Sequence, residues 1–321
     1  MKKICVVNVN WLGDAIFSTP VFRALKSVYP DAHISCLCVP RVADVLKYCT
    51  DIDEIIIYDE KGRDFFIWNK IQLIFKLRRC GFDVAFLLHR SMTRALLVFL
   101  AGIPLRIGFG KVKGLLTHPI NDNNEHIHRS DYYLRVLSDY GLTVSDRRCR
   151  LTINAEAGEG DYCVFHIGGN WALKRWPVSY WTALTKKFAD TKDLKLFFTG
   201  GAADKEGIDA IIHSSGINAV NLAGQTSLHE SLRIFAGARL VVSADSGPLH
   251  LANSVGAKVL GIFGATRPEI TGPRGMGSSE VLFKETGCNH SPCYHLNCTN
   301  NYCMQAIGVD DVWQAIQKII A

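Results

Sequence analysis

The sequence predicts two doubly wound α/β domains, each a parallel sheet with helices on both faces. Three observations carry this. The chain has 321 residues, long for one domain and suited to two of about 150. Short β-rich runs alternate with helix-period stretches along both halves. A polar, small-residue segment at 154–161 (NAEAGEGD) interrupts that alternation midway.

Taken in order, residues 4–8 (ICVVN) form a first buried strand. A helix is expected over 14–28, where Ile16, Val21, Leu25 and Val28 recur at helical spacing and Pro30 follows the end. Strands are expected at 34–39, 54–58 and 84–88, with helices at 42–49, 65–79 and 93–101. The second series opens with a strand at 162–167. Strands follow at 194–198, 240–243 and 258–263, and helices at 181–189, 205–213, 228–235 and 250–255. The stretch 310–319 starts with acidic residues and is helical. The domains are accordingly 1–153 and 161–321, with the terminal helix a candidate to pack back on the first. Both are Rossmann-like, and in such sheets ligands bind just outside the carboxyl ends of the strands, here in a central cleft.

Apolar residues make up 48% of the chain and charged residues 21%, as expected of a globular protein with substantial cores. No apolar run approaches the roughly 20 residues that span a bilayer. The start, Met1-Lys2-Lys3 before an apolar run, has the look of a signal peptide. The run stops at Asn8, however, and no small-residue cleavage site precedes Asp14, so it reads as a strand. A cytoplasmic protein is the expectation. Cys5, Cys36, Cys38 and Cys163 lie in apolar runs and fit reduced core thiols.

Charge is uneven. Residues 1–152 hold 22 Lys/Arg against 15 Asp/Glu, while the remainder holds 14 against 15. Either this is an ordinary solvated surface, or the first domain meets something anionic, such as a phosphorylated lipid head group or a membrane surface. Arg63, Lys111 and Lys113 are candidates for such a contact. No nucleic-acid-binding motif accompanies the charge.

Four strand–loop–helix junctions carry the chemistry. The strongest is Ser243-Ala244-Asp245-Ser246-Gly247-Pro248-Leu249-His250. Amides at a helix start, with Gly247 allowing close approach and Pro248 suited to the first turn, make an anion site. Asp245 can accept from a sugar hydroxyl and His250 can face a phosphate; plain helix capping by Asp245 or Ser246 is the alternative. After the first strand come Asn10-Trp11-Leu12-Gly13-Asp14. Gly13 permits a tight turn beneath a ligand. Asp14 is either a general base or a helix cap, and a helix dipole would weaken it as a base. The third junction is His166-Ile167-Gly168-Gly169-Asn170, leading to Lys174-Arg175-Trp176-Pro177. Lys174 is either the cation for a leaving diphosphate or an exposed surface lysine. In the fourth, Thr199-Gly200-Gly201-Ala202-Ala203-Asp204, the acid either binds ribose hydroxyls or caps a helix.

Together these motifs resemble glycosyltransferase family 9, the ADP-heptose:lipopolysaccharide heptosyltransferases, and look most like its heptosyltransferase II branch. The resemblance runs over nearly the whole chain. It rests on Trp-Leu-Gly-Asp with Pro20 six residues on, Lys-Arg-Trp-Pro, Asn221-Leu222-Ala223-Gly224, Asp-Ser-Gly-Pro-x-His, and Gly261-Ile262-Phe263-Gly264-Ala265-Thr266. Ala265 stands where the family usually has proline. The resemblance implies the two-domain GT-B architecture, inversion at the anomeric carbon, and neither metal nor other cofactor. It implies Asp14 as base, with Lys174 and the Ser246–Gly247 amides on the diphosphate and Asp204 on the ribose. Asp245 and His250 would lie beside the donor sugar and phosphates. The implied partners are ADP-heptose and an anionic lipid-linked saccharide at the cytoplasmic face of the inner membrane.

Cys288, Cys293, Cys298 and Cys303 recur every five residues, with His290 and His295 between them. Such regularity can build a zinc or iron–sulfur site, but the paired Cys-x-x-Cys knuckles are absent, and loop-packed thiols are preferred over a metal or a disulfide. Two rival functions use the same scaffold. One is an epimerase or transferase of another nucleotide sugar; the other is a non-catalytic nucleotide-sugar binder, which would not need Asp14. A transfer and donor-hydrolysis assay separates them.

Overall fold

Each half of the chain folds a six-stranded, wholly parallel sheet among the described residues, and the two sheets share one strand order. The computed structural model describes all residues except 111–113, 123–125, 155–159, 170, 192, 289–292, 294–297 and 299. The chain divides into two units, Met1–Thr152 and Ile153–Ala321.

In the first unit the strands are β1 (Lys3–Val7), β2 (His33–Cys38), β3 (Glu54–Ile57), β4 (Val84–Leu87), β5 (Leu105–Phe109) and β6 (His118–Ile120), ordered β3-β2-β1-β4-β5-β6. The helices are α1 (Leu12–Phe17), α2 (Thr19–Val28), α3 (Pro40–Leu46), α4 (Ile67–Cys80), α5 (Met92–Leu100) and α6 (Arg129–Ser138). In the second unit β7 (Tyr162–His166), β8 (Lys195–Thr199), β9 (Ala219–Asn221), β10 (Leu240–Ala244), β11 (Val259–Phe263) and β12 (Ser279–Phe283) are ordered β12-β11-β10-β7-β8-β9. Its helices are α7 (Val178–Phe188), α8 (Lys205–Ser215), α9 (Leu228–Gly237), α10 (Gly247–Ser254), α11 (Pro268–Thr271), α12 (Tyr302–Gln305) and α13 (Val309–Ile320). Central strands such as β4 (VAFL) and β10 (LVVSA) are buried along their whole length, which is why they read as unbroken apolar runs.

The helix expected over 14–28 is two helices. Pro20 lies in the first turn of α2 and has no amide to offer the Ile16 carbonyl. The Thr19 hydroxyl takes that carbonyl at 2.8 Å, and Ser18 takes Ala15 O at 2.7 Å. Sequence reading also missed β5, β6, β9 and β12. Three of these are edge strands, two of them only three residues long, and Arg106 and Gly108 break the apolar run of β5. As for α13, its apolar face lies in the core of the second unit, where Val312, Ala315 and Ile316 join Trp181 and Phe188. No helix among the described residues is long and apolar enough to cross a membrane.

The Lys-Arg-Trp-Pro element is anchored by Trp176. Its ring is buried, its Nε1 donates to Ile307 O at 2.9 Å, and it meets Trp181 edge-on with centroids 5.0 Å apart. Gly224 approaches the backbone of Ala202 so closely that a Cβ would lie 2.7 Å from Ala202 Cα, and its φ of +69° favours glycine. Trp176→Ala is expected to lower unfolding stability by about 3–5 kcal/mol. Val178→Ala, two residues on at an exposed position, should change it by less than about 0.5 kcal/mol. Urea denaturation of the two variants checks both values.

Candidate active site

A doubly wound sheet opens a crevice where the strand order reverses, between its first and fourth strands. In the second unit these are β7 and β10, paired with His166 beside Ser243. Lys174 comes from the loop after β7, and Asp245 directly follows β10. The structure brings them together: Lys174 Nζ lies 2.6 Å from Asp245 Oδ2. Thr266 and Thr271 also donate to Oδ2, and His250 Nε2 lies 3.3 Å from Oδ1. Asp245 is 5% exposed. Burial by itself pushes its carboxyl up, but the His250 hydrogen bond and the Lys174 charge outweigh this and hold it well below the usual carboxylate range.

This network shows which groups the side chains of the motif meet. Asp245 faces Lys174 and His250, and the Ser246 hydroxyl lies 3.0 Å from Ser243 Oγ. Ser246 occupies the cap position of α10 but makes no side-chain cap bond, and Gly247 and Pro248 open the helix. Neither Asp245 nor Ser246 caps the first-turn amides of α10 among the described hydrogen bonds. The network also shows that Lys174 is no isolated surface lysine. Sequence reading missed Thr266 and Thr271 as partners; Thr266 stood within a recognised motif, whereas nothing local marked Thr271.

At the junctions after β7 and β8 the local structure is a cap. Asp204 Oδ2 accepts from the Gly201 amide at 2.8 Å, as an acid at a helix start commonly does. Gly168 and Gly200 make room for it: a Cβ at Gly168 would lie 2.5 Å from Asp204 Oδ2. Beneath it, His166 is buried with Nδ1 3.0 Å from Thr199 Oγ1. Burial pushes the His166 imidazole down to about 4, partly opposed by the Asp204 charge.

In the first unit the crevice strands are β1 and β4. Asp14 sits in the first turn of α1, immediately after Gly13, and its Oδ1 accepts from Tyr133 Oη of α6 at 2.7 Å. Burial and then the Asp14 charge push the Tyr133 hydroxyl well above its ordinary range, so it remains a donor. Nearby, Arg94 of α5 is buried and donates to Asn8 O and Asn10 Oδ1, both at 2.6 Å, and reaches Glu60 Oε2 at 3.3 Å. Neither Tyr133 nor Arg94 carries a sequence signal, since each reaches its partner from a distant segment. Lys111 and Lys113 lie outside the described residues.

Cys288, Cys293, Cys298 and Cys303 line one small cavity with Leu173 and Ala265. All four are free thiols. Cys293 packs on Leu173 and Ala265, and its amide bonds Ala265 O at 2.7 Å. Cys293 thus supports the turns that carry Lys174 and Thr266. Among the described residues no three Cys, His, Asp or Glu side chains are gathered to hold a metal; His290 and His295 lie outside them.

Residues 71–303 match the model of glycosyltransferase family 9 (heptosyltransferase). The chain belongs to this family. The family 9 enzyme is 26% identical over 297 residues to lipopolysaccharide heptosyltransferase 2 of Escherichia coli K12, covering 84% of this chain and 85% of that one. Its fold is similar to a family 9 glycosyl transferase from Veillonella parvula, with a TM-score of 0.82 at 23% identity, covering 99% of this chain and 97% of that one. It is also similar to E. coli ADP-heptose lipopolysaccharide heptosyltransferase II, with a TM-score of 0.79 at 23% identity, covering all of this chain and 98% of that one. The enzyme thus has a GT-B-like fold, as its motifs led one to expect.

The His166 environment sets a pH dependence. Its folded value of about 4 lies below the ordinary 6.5, so the unfolded chain takes up the proton first. The stabilisation is present above pH 6.5 and is lost as pH falls toward 4, amounting to roughly 2–3 kcal/mol. Denaturation midpoints across that window should fall less steeply for His166→Asn, whose amide can still face Thr199, than for the unsubstituted protein.

Proposed function

We propose that this family 9 glycosyltransferase is an inverting, metal-independent enzyme that moves heptose from ADP-heptose to the lipopolysaccharide inner core. One observation carries the reading: the Lys174–Asp245–His250 network beside an α10 start whose amides are not capped. This is a site for an anionic group, in a chain similar to lipopolysaccharide heptosyltransferase 2.

The donor diphosphate rests on the α10 amides at Ser246 and Gly247. An ammonium carries three donors and the Asp245 bond uses one, so Lys174 can hold Asp245 and a phosphate oxygen together. Asp245, with Oδ2 crowded by three donors, orients Lys174 and His250 rather than serving as a base. Asp204 uses Oδ2 for its cap; the ribose contact falls to its other oxygen. Asp14 removes the proton of the acceptor hydroxyl as that oxygen attacks the anomeric carbon from the face opposite the departing ADP, and the configuration inverts. Tyr133 positions Asp14 by holding Oδ1, leaving Oδ2 for the acceptor proton. Lys174 and the amides stabilise the charge that develops on ADP. The acceptor is an anionic lipid-linked saccharide held by the first unit, whose sequence is the basic half of the chain. The enzyme works at the cytoplasmic face of the inner membrane.

The direct test is incubation of ADP-heptose with an inner-core acceptor, following ADP release and the anomeric configuration of the product by NMR. In that assay Asp14→Asn should lower turnover by about 10²–10⁴ with donor affinity nearly unchanged. Tyr133→Phe, which removes one hydrogen bond to a charged group, should lower it by about tenfold. Near-normal turnover in Asp14→Asn would leave Asp14 as no more than a structural residue.

Metal independence has its own check. Turnover in excess EDTA should equal turnover in magnesium or manganese, because Lys174 and the α10 amides supply the positive charge a metal would bring. Strict dependence on an added divalent ion would end that part of the reading.

A further inference from the structure

Of the fourteen exposed large apolar side chains among the described residues, nine fall between positions 65 and 100. Scattered exposed apolar residues need no explanation, whereas a cluster of this kind marks an interaction surface. Phe65, Phe66, Ile67 and Trp68 stand at the start of α4 at 64–73% exposure, and Phe75 follows on the same helix. The α4 helix turns Leu73 and Leu77 to the core. Its opposite face carries Trp68, Gln72, Phe75, Lys76 and Arg79, all exposed and at helical spacing. The neighbouring helix α5 packs beside α4 and extends the surface with Met92, Leu96 and Phe99.

The charge on this surface selects its partner. Residues 61–79 contain six Lys/Arg and a single carboxylate, Asp64. Asp64 is buried and engaged by Arg63 and the Asp59 amide, so this segment shows solvent cations and aromatic rings and no acid. A second copy docked face to face would bring like charges together. An anionic bilayer offers what both features require: phosphates for the cations, and an interface in which Trp and Phe rings partition.

We infer that the exposed face of α4 and α5 docks on an anionic phospholipid surface, with Phe66, Trp68 and Phe75 entering the interface and Lys76 and Arg79 meeting head-group phosphates. This deepens the proposed function and rests on it for the purpose of docking, which is to bring the first unit to a lipid-linked acceptor.

The test is sedimentation of the full chain with phosphatidylcholine vesicles, with and without phosphatidylglycerol. Binding is expected with phosphatidylglycerol and should weaken as salt shortens the screening length below about 10 Å. The triple variant Phe66→Ser, Trp68→Ser, Phe75→Ser should bind at least about tenfold more weakly, with an unchanged far-UV spectrum because all three side chains are exposed. Brominated acyl chains should quench a fluorescence component that Trp68→Phe removes. Absence of binding, binding retained by the triple variant, or a self-association that the variant abolishes without any vesicle binding would each overturn the inference. Turnover with a water-soluble, lipid-free acceptor should be the same in the variant and the parent. If the parent fails in that assay yet binds vesicles, the transferase reading falls and the docking surface stands.

Discussion

A carboxylate taken almost wholly out of water must be matched by donors, and Asp245 imposes that requirement on the second unit. Its partners come from separate segments: Lys174 after β7, His250 from α10, Thr266 after β11 and Thr271 at the end of α11. Leaving a buried charge without its partner costs about 3–5 kcal/mol. The loops at the carboxyl edge of the sheet are therefore tied to one another as well as to the strands below. The same bonds occupy the Asp245 carboxylate, and Ser246 at the cap position of α10 makes no side-chain cap bond.

The first unit solves the corresponding problem with the opposite sign. There Arg94, a buried ion on the helix that follows the fourth strand, reaches across to Asn8 and Asn10 after the first strand. In both units a charge after the fourth strand fastens the loop after the first, across the point where strand order reverses. The connection after the first strand also carries Asp14 in one unit and Lys174 in the other, the side chains to which the proposed function gives the chemistry. Each is held by a partner from elsewhere, Tyr133 for Asp14 and Asp245 for Lys174. Such support lowers the conformational freedom of each side chain, which the proposed chemistry requires.

The tail cysteines and the Trp176 anchor work on the same loops from behind. Trp176 fixes the chain two residues beyond Lys174 through its bond to Ile307 O. Cys293 packs on Leu173, one residue before it, and on Ala265, one residue before Thr266. Of the four regularly spaced cysteines, Cys293 and Cys303 pack in this cluster.

The sequence by itself determined the sheets and the junctions. Periods of two and 3.6 residues, together with buried apolar runs, are local properties, so the central strands and most helices were legible, as were the four strand–loop–helix motifs bearing Asp14, Lys174, Asp204 and Asp245. Short edge strands such as β6 and β9 were not, because three residues on a sheet margin carry little pattern. The break between α1 and α2 was written in Pro20 yet outweighed by the apolar spacing around it. What only the tertiary structure decided was partnership and exposure. Lys174 meets Asp245 across 71 residues and Asp14 meets Tyr133 across 119. Whether Trp68 lies inside or outside depends on which face of α4 turns to the sheet. Pairing and facing follow from strand order and crossover, which are global properties of the chain, and no local run of residues encodes them.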